Sequence, residues 1–299
     1  MSIADPRVAH AAEAIRAGRL VAFPTETVYG LGANALDAAA VVRIFIAKGR
    51  PRTSPLIVHV DSIEMARSLA ADWPDAAEIL ARRYWPGPLT LVVSKLPRIP
   101  DIVTAGLPTV GLRVPANPIA LELIRAAGVP IAAPSANRFT ELSPTCAGHV
   151  PEGLADYVLN GGSAEVGIES TVLSVVGRPM LLRPGIIPLP EIEGLIGPVA
   201  VAETAPAGAH PSPGMHPRHY SPATPLYLLR NGDRSPEGHG AWLRIGIEMP
   251  SDPRVYAAVL YETLHRIDAQ HRDWIAVELP PDTPEWAGVL DRLRRAQTR

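Results

Sequence analysis

The sequence contains a single cysteine, Cys146, among its 299 residues. No disulfide can therefore form within the chain, and no zinc site built on two cysteines is available. No stretch approaches the roughly 20 consecutive apolar residues of a membrane-spanning helix. The N-terminus carries Asp5, Arg7 and Glu13 where a secretory signal would be apolar. These absences predict a soluble, cytoplasmic protein that makes no membrane contact.

Aromatic residues make up only 5% of the chain, and the net charge is −2. Both values argue against binding nucleic acid through a broad basic surface with stacking side chains, although a local basic pocket stays compatible with them. Neither a G-x-x-x-x-G-K-[ST] phosphate loop nor a G-x-S-x-G nucleophile elbow occurs. What the chain does have is 47% hydrophobic residues, which is enough for a large core.

Short apolar runs alternate with amphipathic segments, and this alternation predicts an α/β protein with a mixed sheet. Strands are predicted at residues 20–23, 56–60, 89–94, 109–114, 130–133, 157–159, 171–176, 180–182, 226–229, 242–247 and 274–277. Helices are predicted at residues 6–17, 38–48, 63–84, 119–127, 255–267 and 286–295. Ser143 followed by Pro144 is predicted to start another helix.

The composition changes between Pro198 and Pro225, where seven prolines occur with little apolar periodicity. Such a stretch predicts an extended linker. We therefore divide the chain into a large α/β domain at residues 1–197, a linker at residues 198–225 and a small α/β domain at residues 226–299.

The polar run FPTETVYGLGANA at residues 23–35 lies between a predicted strand and a predicted helix, where α/β proteins place many functional groups. Its GLGANA segment matches the G-x-G-x-x-A pattern of dinucleotide sites. However, six residues separate Phe23 from Gly30, and the region near position 50 is basic where that motif needs an acid. A nicotinamide or flavin site is therefore disfavoured. Close backbone approach is the better interpretation of these glycines.

Several cationic side chains are candidates for an anion site. Lys48, Arg50 and Arg52 lie within five residues, and Arg113 and Arg183 each lie near the end of a predicted strand. Each of them alone could be a structural charge, such as a cation at a helix end. Several near the same edge of one sheet would instead clamp a phosphate or a carboxylate.

Other polar groups have an ordinary structural interpretation beside the functional one. The segments SAN at 135–137 and EST at 169–171 could bind phosphate or ribose oxygens, or could simply form turns. Cys146 with His149 is disfavoured as a nucleophile pair. The spacing of three linker histidines fits no zinc pattern: His210, His216 and His219. A solvated helix face is expected for four C-terminal arginines: Arg292, Arg294, Arg295 and Arg299.

Eight short runs, taken together, resemble the threonylcarbamoyl-AMP synthase family, which has the YrdC-like fold. They occur in the family's order and cover nearly all of residues 10–190: PTETVYGLG, KGRP followed by SPLIVH, WPGPLTLV, VGLRVP, APSAN, SPT, GIEST and LRPG. PSPGM and RHYSP in the linker resemble the long, two-domain form. The resemblance implies a twisted, mixed, open sheet flanked by helices, followed by a small Rossmann-like α/β domain.

The resemblance also implies an activity and a set of site residues. L-threonine, bicarbonate or CO2, and ATP would give threonylcarbamoyl-AMP and pyrophosphate, the first step of threonylcarbamoyladenosine formation in tRNA. The family's catalytic cations would be Lys48 and Arg50. Its L-threonine contacts would be Thr27, His59, Arg113, the backbone of Ala133, and Ser170. Its ATP contacts would be Arg50, Ser54, Thr109, Ser135, Asn137, Ser143, Arg183 and, from the linker, Tyr220.

Mg2+ is expected to assist the reaction, with ligands that the sequence does not identify. The product would pass to the downstream tRNA threonylcarbamoyl-transferase machinery, with at most weak contact to RNA. Two features depart from the family: Ser54 stands where asparagine is common, and the second domain is short between residues 231 and 241. Two alternatives stay open, an RNA-binding module without ATP turnover and a carbamoyl-transfer domain that acts on another protein.

Overall fold

The computed structural model describes residues 5–202, 219–230 and 232–298. Its helices are α1 (Pro6–Arg16), α2 (Ala38–Lys48), α3 (Ile63–Arg67), α4 (Asp75–Tyr84), α5 (Asp101–Thr104), α6 (Pro118–Ala127), α7 (Leu189–Ile196), α8 (Pro253–Asp268) and α9 (Ala287–Ala296). Its strands are β1 (Val21–Phe23), β2 (Gly30–Asn34), β3 (Ile57–His59), β4 (Leu89–Ser94), β5 (Thr109–Arg113), β6 (Ile131–Ala132), β7 (Tyr157–Val158), β8 (Thr171–Ser174), β9 (Met180–Arg183), β10 (Ala200–Val201), β11 (Leu226–Leu229), β12 (Ala241–Leu243) and β13 (Ile275–Glu278).

Ten of the described strands form one mixed sheet in the order β10-β9-β8-β4-β5-β3-β6-β2-β1-β7. Helices cover both of its faces. Side chains alternate along a strand, and neighbouring residues therefore enter different cores. Ala22 packs in a core that includes residues of α2 and α4, whereas Val21 and Phe23 pack with α1 and α6. The predicted α/β fold with a mixed sheet is therefore confirmed.

A second, parallel sheet has the order β11-β13-β12. Leu226, Leu243 and Val277 lie on one face of it and pack with residues of α8 and α9. The connection from β11 to β12 is short, and its described residues, 232–240, contain no helix. Gly240 lies directly against the indole ring of Trp274, where an added Cβ would come within 1.9 Å. The Trp274 ring therefore packs against Gly240, just before the paired residues of β12 and β13.

The small domain does not have a separate core. The core around α8 and α9 also contains Val28, Leu142, Ile168 and Tyr220, which come from the first domain and the linker. At the start of the predicted linker, β10 pairs with β9 and extends the large sheet beyond residue 197. Residues 203–218, including His210 and His216, lie outside the described part of the chain. No described helix is both long and apolar enough to cross a membrane.

Three local predictions differ from the structure. The glycine-rich run after Phe23 is the strand β2, which pairs antiparallel with β1. The helix predicted at 63–84 is two helices, because the intervening backbone bonds to the end of β4 and its continuation, as in the Ala71 N–H donating to Ser94 O at 2.8 Å. No α-helix starts at Ser143, since its hydroxyl donates to Glu169 instead of capping a helix.

Candidate active site

A pocket opens where the parallel strands β3 and β5 end. His59 and Arg113 are the last residues of these strands and are paired in register, so they stand side by side. The pocket is lined by Thr25, Thr27, Val28, Gly30, Arg50, Ile57, His59, Arg113, Ala133, Pro134, Ser135, Glu169, Ser170, Arg183, His219 and Tyr220. Carboxyl ends of strands are the usual position of ligand sites in open α/β sheets.

One wall of the pocket is the segment between β1 and β2. Thr25 Oγ1 lies 2.8 Å from Thr27 Oγ1 and donates to the Val28 carbonyl at 2.6 Å, so Thr27 is held in a fixed orientation. Gly32 allows β2 to lie against the ring of Phe23, since an added Cβ would come within 2.7 Å of Phe23 Cε1. The glycines of this run therefore permit close packing, as predicted.

The pocket end of β5 carries a buried ion pair. Arg113 Nη2 lies 2.8 Å from Glu26 Oε1, and Arg113 Nε donates to the Gly87 carbonyl at 3.2 Å. The neighbouring His59 is 3% exposed, and its Nδ1 has no hydrogen-bond partner. Burial and the charge of Arg113 lower the pKa of His59 to about 3, so its imidazole is neutral near pH 7.

Two further arginines reach the pocket from different elements. Arg50 follows α2 and donates from Nη2 to the Pro55 carbonyl at 3.2 Å, with its guanidinium 5.9 Å from the centre of the Phe139 ring. Burial lowers the pKa of Arg50 to about 10, which still leaves it charged. Arg183 at the end of β9 donates to the Ser170 carbonyl from Nε and Nη2, at 3.1 and 3.0 Å.

Lys48 lies behind the pocket rather than among the residues that line it. Its Nζ donates to the carbonyls of Ser135 (2.6 Å) and Asn137, and thereby ties the SAN segment to the end of α2. The Asn137 side chain donates to the carbonyls of Arg138 and Glu141. Burial and the nearby Arg50 place the pKa of Lys48 well below its usual value. Lys48 therefore shapes the wall on which Ser135 is exposed to the pocket.

The remaining predicted residues are distributed around this centre. Thr27, His59, Arg113, Ala133 and Ser170, the predicted L-threonine contacts, all line the pocket. Among the predicted ATP contacts, Arg50, Ser135, Arg183 and Tyr220 line it as well.

Four predicted ATP contacts lie outside the lining, and one of them is Asn137, whose side chain donates to backbone carbonyls as described above. Ser54 is buried near Arg50, and Ser143 donates its hydroxyl to Glu169. Thr109 begins β5, about 13 Å along the strand from Arg113. It borders a neighbouring hollow that shares Ile57 with the pocket.

Sequence reasoning missed several groups at the site. Glu26 is a neighbour of Thr27 in the same polar run, so its position in that run was an available signal. His219 was weighed only as a metal ligand. It is buried, and burial together with the charges of Arg50 and Lys48 keeps its pKa well below its usual value.

The prediction that Arg292 is solvated is wrong. It is 1% exposed and pairs with Glu169 at 2.7 Å. Arg292 lies three residues after Val289 and four residues before Ala296, and this spacing places it on the apolar face of α9. That spacing was the signal that it would be buried. Arg294 is exposed as predicted, Arg295 is mostly buried, and Arg299 lies outside the described residues.

Four buried polar atoms of lining residues lack a hydrogen-bond partner: Arg50 Nε, His59 Nδ1, His219 Nδ1 and Tyr220 OH. Buried polar groups are nearly always satisfied in folded proteins. Their convergence on one pocket, together with three buried arginines, indicates a site for a polar, anionic ligand.

Comparison with known proteins identifies relatives over both domains. Residues 13–185 match the Sua5/YciO/YrdC family model, described as telomere recombination, and residues 187–298 match the model described as the threonylcarbamoyl-AMP synthase C-terminal domain. The threonylcarbamoyl-AMP synthase of Bacillus subtilis is 41% identical over 329 residues, covering 99% of this chain and 94% of its own. That of Pyrococcus abyssi is 49% identical, covering 76% and 69%. The crystal structure of P. abyssi Sua5 with L-threonine superposes with a TM-score of 0.90 at 39% identity, covering 97% of this chain and 93% of that one.

Proposed function

Because this chain belongs to the threonylcarbamoyl-AMP synthase family, we propose that it converts L-threonine, bicarbonate or CO2, and ATP into threonylcarbamoyl-AMP and pyrophosphate. The relative from B. subtilis aligns with nearly all of the chain, which supports the proposal for the chain as a whole. The product would be the activated intermediate for threonylcarbamoyladenosine in tRNA, passed on to the transferase machinery that modifies the tRNA.

The observation that carries this proposal is the set of three buried arginines in one pocket, where Arg50 Nε and the polar atoms of His59, His219 and Tyr220 also lack protein partners. Both reactants, a threonine carbamate and ATP, are anions that repel each other in water. Arg50, Arg113 and Arg183 can offset that repulsion in a site that excludes most solvent. The P. abyssi relative was crystallised in complex with L-threonine, which supports L-threonine as a substrate.

Arg113 and His59 form the end of the pocket that best suits L-threonine. The Arg113 guanidinium would bind the carboxylate, and the neutral His59 Nδ1 and the Thr27 hydroxyl are suited to hydrogen-bond the amino acid's polar groups. Ser170 Oγ lies 2.8 Å from Thr90 Oγ1 and 3.2 Å from Arg183 Nη2, which fixes its direction. The backbone of Ala133 would complete this subsite.

The Arg50 side of the pocket suits the triphosphate. Arg50 and Arg183 would hold the phosphates, Ser135 would hydrogen-bond a phosphate or ribose oxygen, and Lys48 would hold the loop that carries Ser135. The carbamate oxygen attacks the α-phosphorus, and pyrophosphate leaves with its charge balanced by the arginines. No strong general base is required, because the nucleophile is already an anion. Tyr220, which is 1% exposed, would cover the reactants and exclude water.

Mg2+ would enter with ATP. The described residues contain no group of three acidic, histidine or cysteine side chains arranged to hold a metal ion. Glu169 already accepts from Ser143, Tyr261 and Arg292, and Glu26 pairs with Arg113. The phosphate oxygens of ATP and water are therefore the expected ligands, as is common for Mg2+.

Pyrophosphate release tests the proposed reaction. The protein is mixed with ATP, Mg2+ and bicarbonate, with and without L-threonine, and release is expected only when L-threonine is present. Pyrophosphate release that does not depend on L-threonine would rule out the proposed synthase reaction. Salt-dependent binding of RNA with no ATP turnover would favour the RNA-binding alternative instead.

A further inference from the structure

Glu169 is a pocket residue whose contacts lead into the small C-terminal domain. Its Oε1 accepts a hydrogen bond from Ser143 Oγ. Its Oε2 accepts from Tyr261 OH at 3.2 Å and from Arg292 Nε at 2.7 Å. Tyr261 lies on α8 and Arg292 on α9, so two helices of the small domain orient one carboxylate in the wall of the catalytic pocket.

Arg292 connects three separate segments of that wall. Besides the Glu169 carboxylate, it donates from Nη2 to the Glu169 carbonyl at 3.0 Å and from Nη1 to the Pro184 carbonyl at 2.9 Å. Its guanidinium carbon also lies 5.3 Å from the centre of the Tyr220 ring. One side chain therefore contacts the GIEST segment, the LRPG segment and the linker tyrosine.

The backbones of the two domains are in direct contact at the same place. Gly167 has a φ of +76° and lies under α8, where an added Cβ would come within 2.3 Å of the Ala257 carbonyl oxygen. Gly288 of α9 lies against Gly185, where an added Cβ would come within 2.5 Å of its carbonyl oxygen. Such close contact allows the position of α8 and α9 to determine the position of both loops.

We propose that Arg292 and Tyr261 are positioning residues for the synthase reaction, and that the small domain packs behind one wall of the catalytic site and holds it in place. This inference rests on the proposed function. The position of Glu169 affects two proposed substrate contacts. Ser170 follows Glu169 directly in the chain, and Arg183 donates to the Ser170 carbonyl. A shift of Glu169 would move Ser170 and Arg183, which are the proposed contacts for L-threonine and the phosphates.

The charge balance at Glu169 supports this role. Burial alone would raise the pKa of Glu169, but Arg292, Arg183 and Ser143 together hold that pKa below its usual value. Removal of Arg292 would leave a buried carboxylate with fewer partners, and such a group moves toward solvent or takes up a proton.

The first test compares Arg292→Gln with Arg294→Gln, an exposed arginine on the same helix. Threonine-dependent pyrophosphate release is measured well below the unfolding temperature of each variant. We expect kcat/KM to fall about 10- to 100-fold in Arg292→Gln and to stay unchanged in Arg294→Gln. An Arg292→Gln variant that loses only thermal stability and keeps kcat/KM would overturn the proposal.

The second test asks whether Arg292 acts through Glu169. In the double variant Arg292→Gln/Glu169→Gln, the loss of kcat/KM should be no larger than in the more impaired single variant. Both changes break the same Arg292–Glu169 interaction, so their effects should not add. Losses that multiply would contradict the proposal. The acid limb of the pH profile of kcat/KM should move to higher pH in Arg292→Gln. In the double variant it should return to its wild-type position. An unmoved limb would contradict it as well.

Two milder variants keep the proposal testable if Arg292→Gln does not fold. Arg292→Lys keeps a charge but cannot reach Glu169 and Pro184 together, and Tyr261→Phe removes one hydroxyl. Both should lower kcat/KM while remaining folded, and full activity in both would overturn the proposal.

Calorimetric titration separates this inference from the reaction itself. If the wild-type protein released no pyrophosphate, the proposed function would fail. Weaker binding of L-threonine or ATP to Arg292→Gln than to Arg294→Gln would still support a positioning role, and equal binding would reject it.

Discussion

Individual buried charges are the most informative residues of this protein. Arg50, Arg113 and Arg183 are each less than 8% exposed, and the carboxylates beside them are Glu26 and Glu169. Burying a charge is costly unless partners compensate for it. The Arg50 Nε atom, which has no partner in the protein, indicates that a bound anion supplies the missing contact.

Arg50 and Arg52 provide a matched pair for this interpretation. Arg50→Ala should lower kcat/KM for pyrophosphate release about 100-fold or more, because it removes a cation from the developing charge. Arg52, two residues later, is exposed, and Arg52→Ala should leave the rate unchanged. Thermal unfolding of both variants checks that the fold persists. Equal activities of the two variants would remove Arg50 from the mechanism.

His59 should make the stability of the protein depend on pH. Because its pKa falls from about 6.5 in the unfolded chain to about 3 in the folded chain, only the unfolded state gains a proton between those values. The free energy of unfolding should therefore drop by about 1.4 kcal/mol per pH unit from this residue as pH falls below 6.5.

Urea unfolding at pH 6.0 and pH 5.0 measures this dependence. His59→Gln should show a shallower pH dependence than the wild type, whereas His239→Gln, at an exposed site, should keep the wild-type slope. A wild-type slope in His59→Gln would show that His59 is protonated in the folded protein.

Among the secondary-structure elements, β2 shows how composition can hide a strand. Its sequence GLGAN has the glycine content of a loop, yet it pairs with β1 and β6 and is mostly buried. Glycine is needed there because the Phe23 ring occupies the space that a side chain would fill. Packing against a distant partner, rather than local propensity, determines this strand.

Two glycine substitutions should have opposite effects on stability. Gly32→Ala places a Cβ 2.7 Å from the Phe23 ring and 2.8 Å from Ile131 Cγ2, and should lower the free energy of unfolding by about 1–3 kcal/mol. Gly194 lies inside α7 with no atom within 4 Å of an added Cβ, so Gly194→Ala should raise it by up to about 1 kcal/mol. Chemical denaturation measures both. A neutral Gly32→Ala would contradict the packing described for β2.

Elements with strong local signals were predictable from the sequence. The Asp5 and Asp37 caps identified the starts of α1 and α2, and the apolar run LTLVVS gave β4 its bounds. Elements that depend on distant contacts were not predictable. Ser143 resembles a helix cap but bonds to Glu169, 26 residues away. The spacing of Arg292 indicated burial, but nothing local identified the same carboxylate as its partner. Motif resemblance located most of the pocket lining because it carries such long-range information.

At the scale of the whole molecule, the core of the small domain is shared with the large domain and the linker. Residues of the polar run and of the GIEST segment pack directly against α8 and α9. The pocket takes its lining from the large domain and the linker, and the small domain packs behind that lining. This arrangement explains why the small domain can matter for a reaction that it does not contact directly.

Thermal unfolding should reflect the shared core. We expect one cooperative transition in calorimetry, with equal calorimetric and van't Hoff enthalpies, because the small domain shares its core with the large domain and the linker. Binding of L-threonine should raise the temperature of that single transition. Two separate transitions would show that the domains are energetically independent.

The most direct measurement of the central claim is the composition of the product. The protein is incubated with ATP, Mg2+, L-threonine and bicarbonate labelled with carbon-13, and the nucleotides are analysed by mass spectrometry. Our account predicts an AMP adduct that contains both threonine and the labelled carbon, formed in equal amount to pyrophosphate. AMP or ADP with no adduct, or a threonine adduct without the labelled carbon, would contradict it.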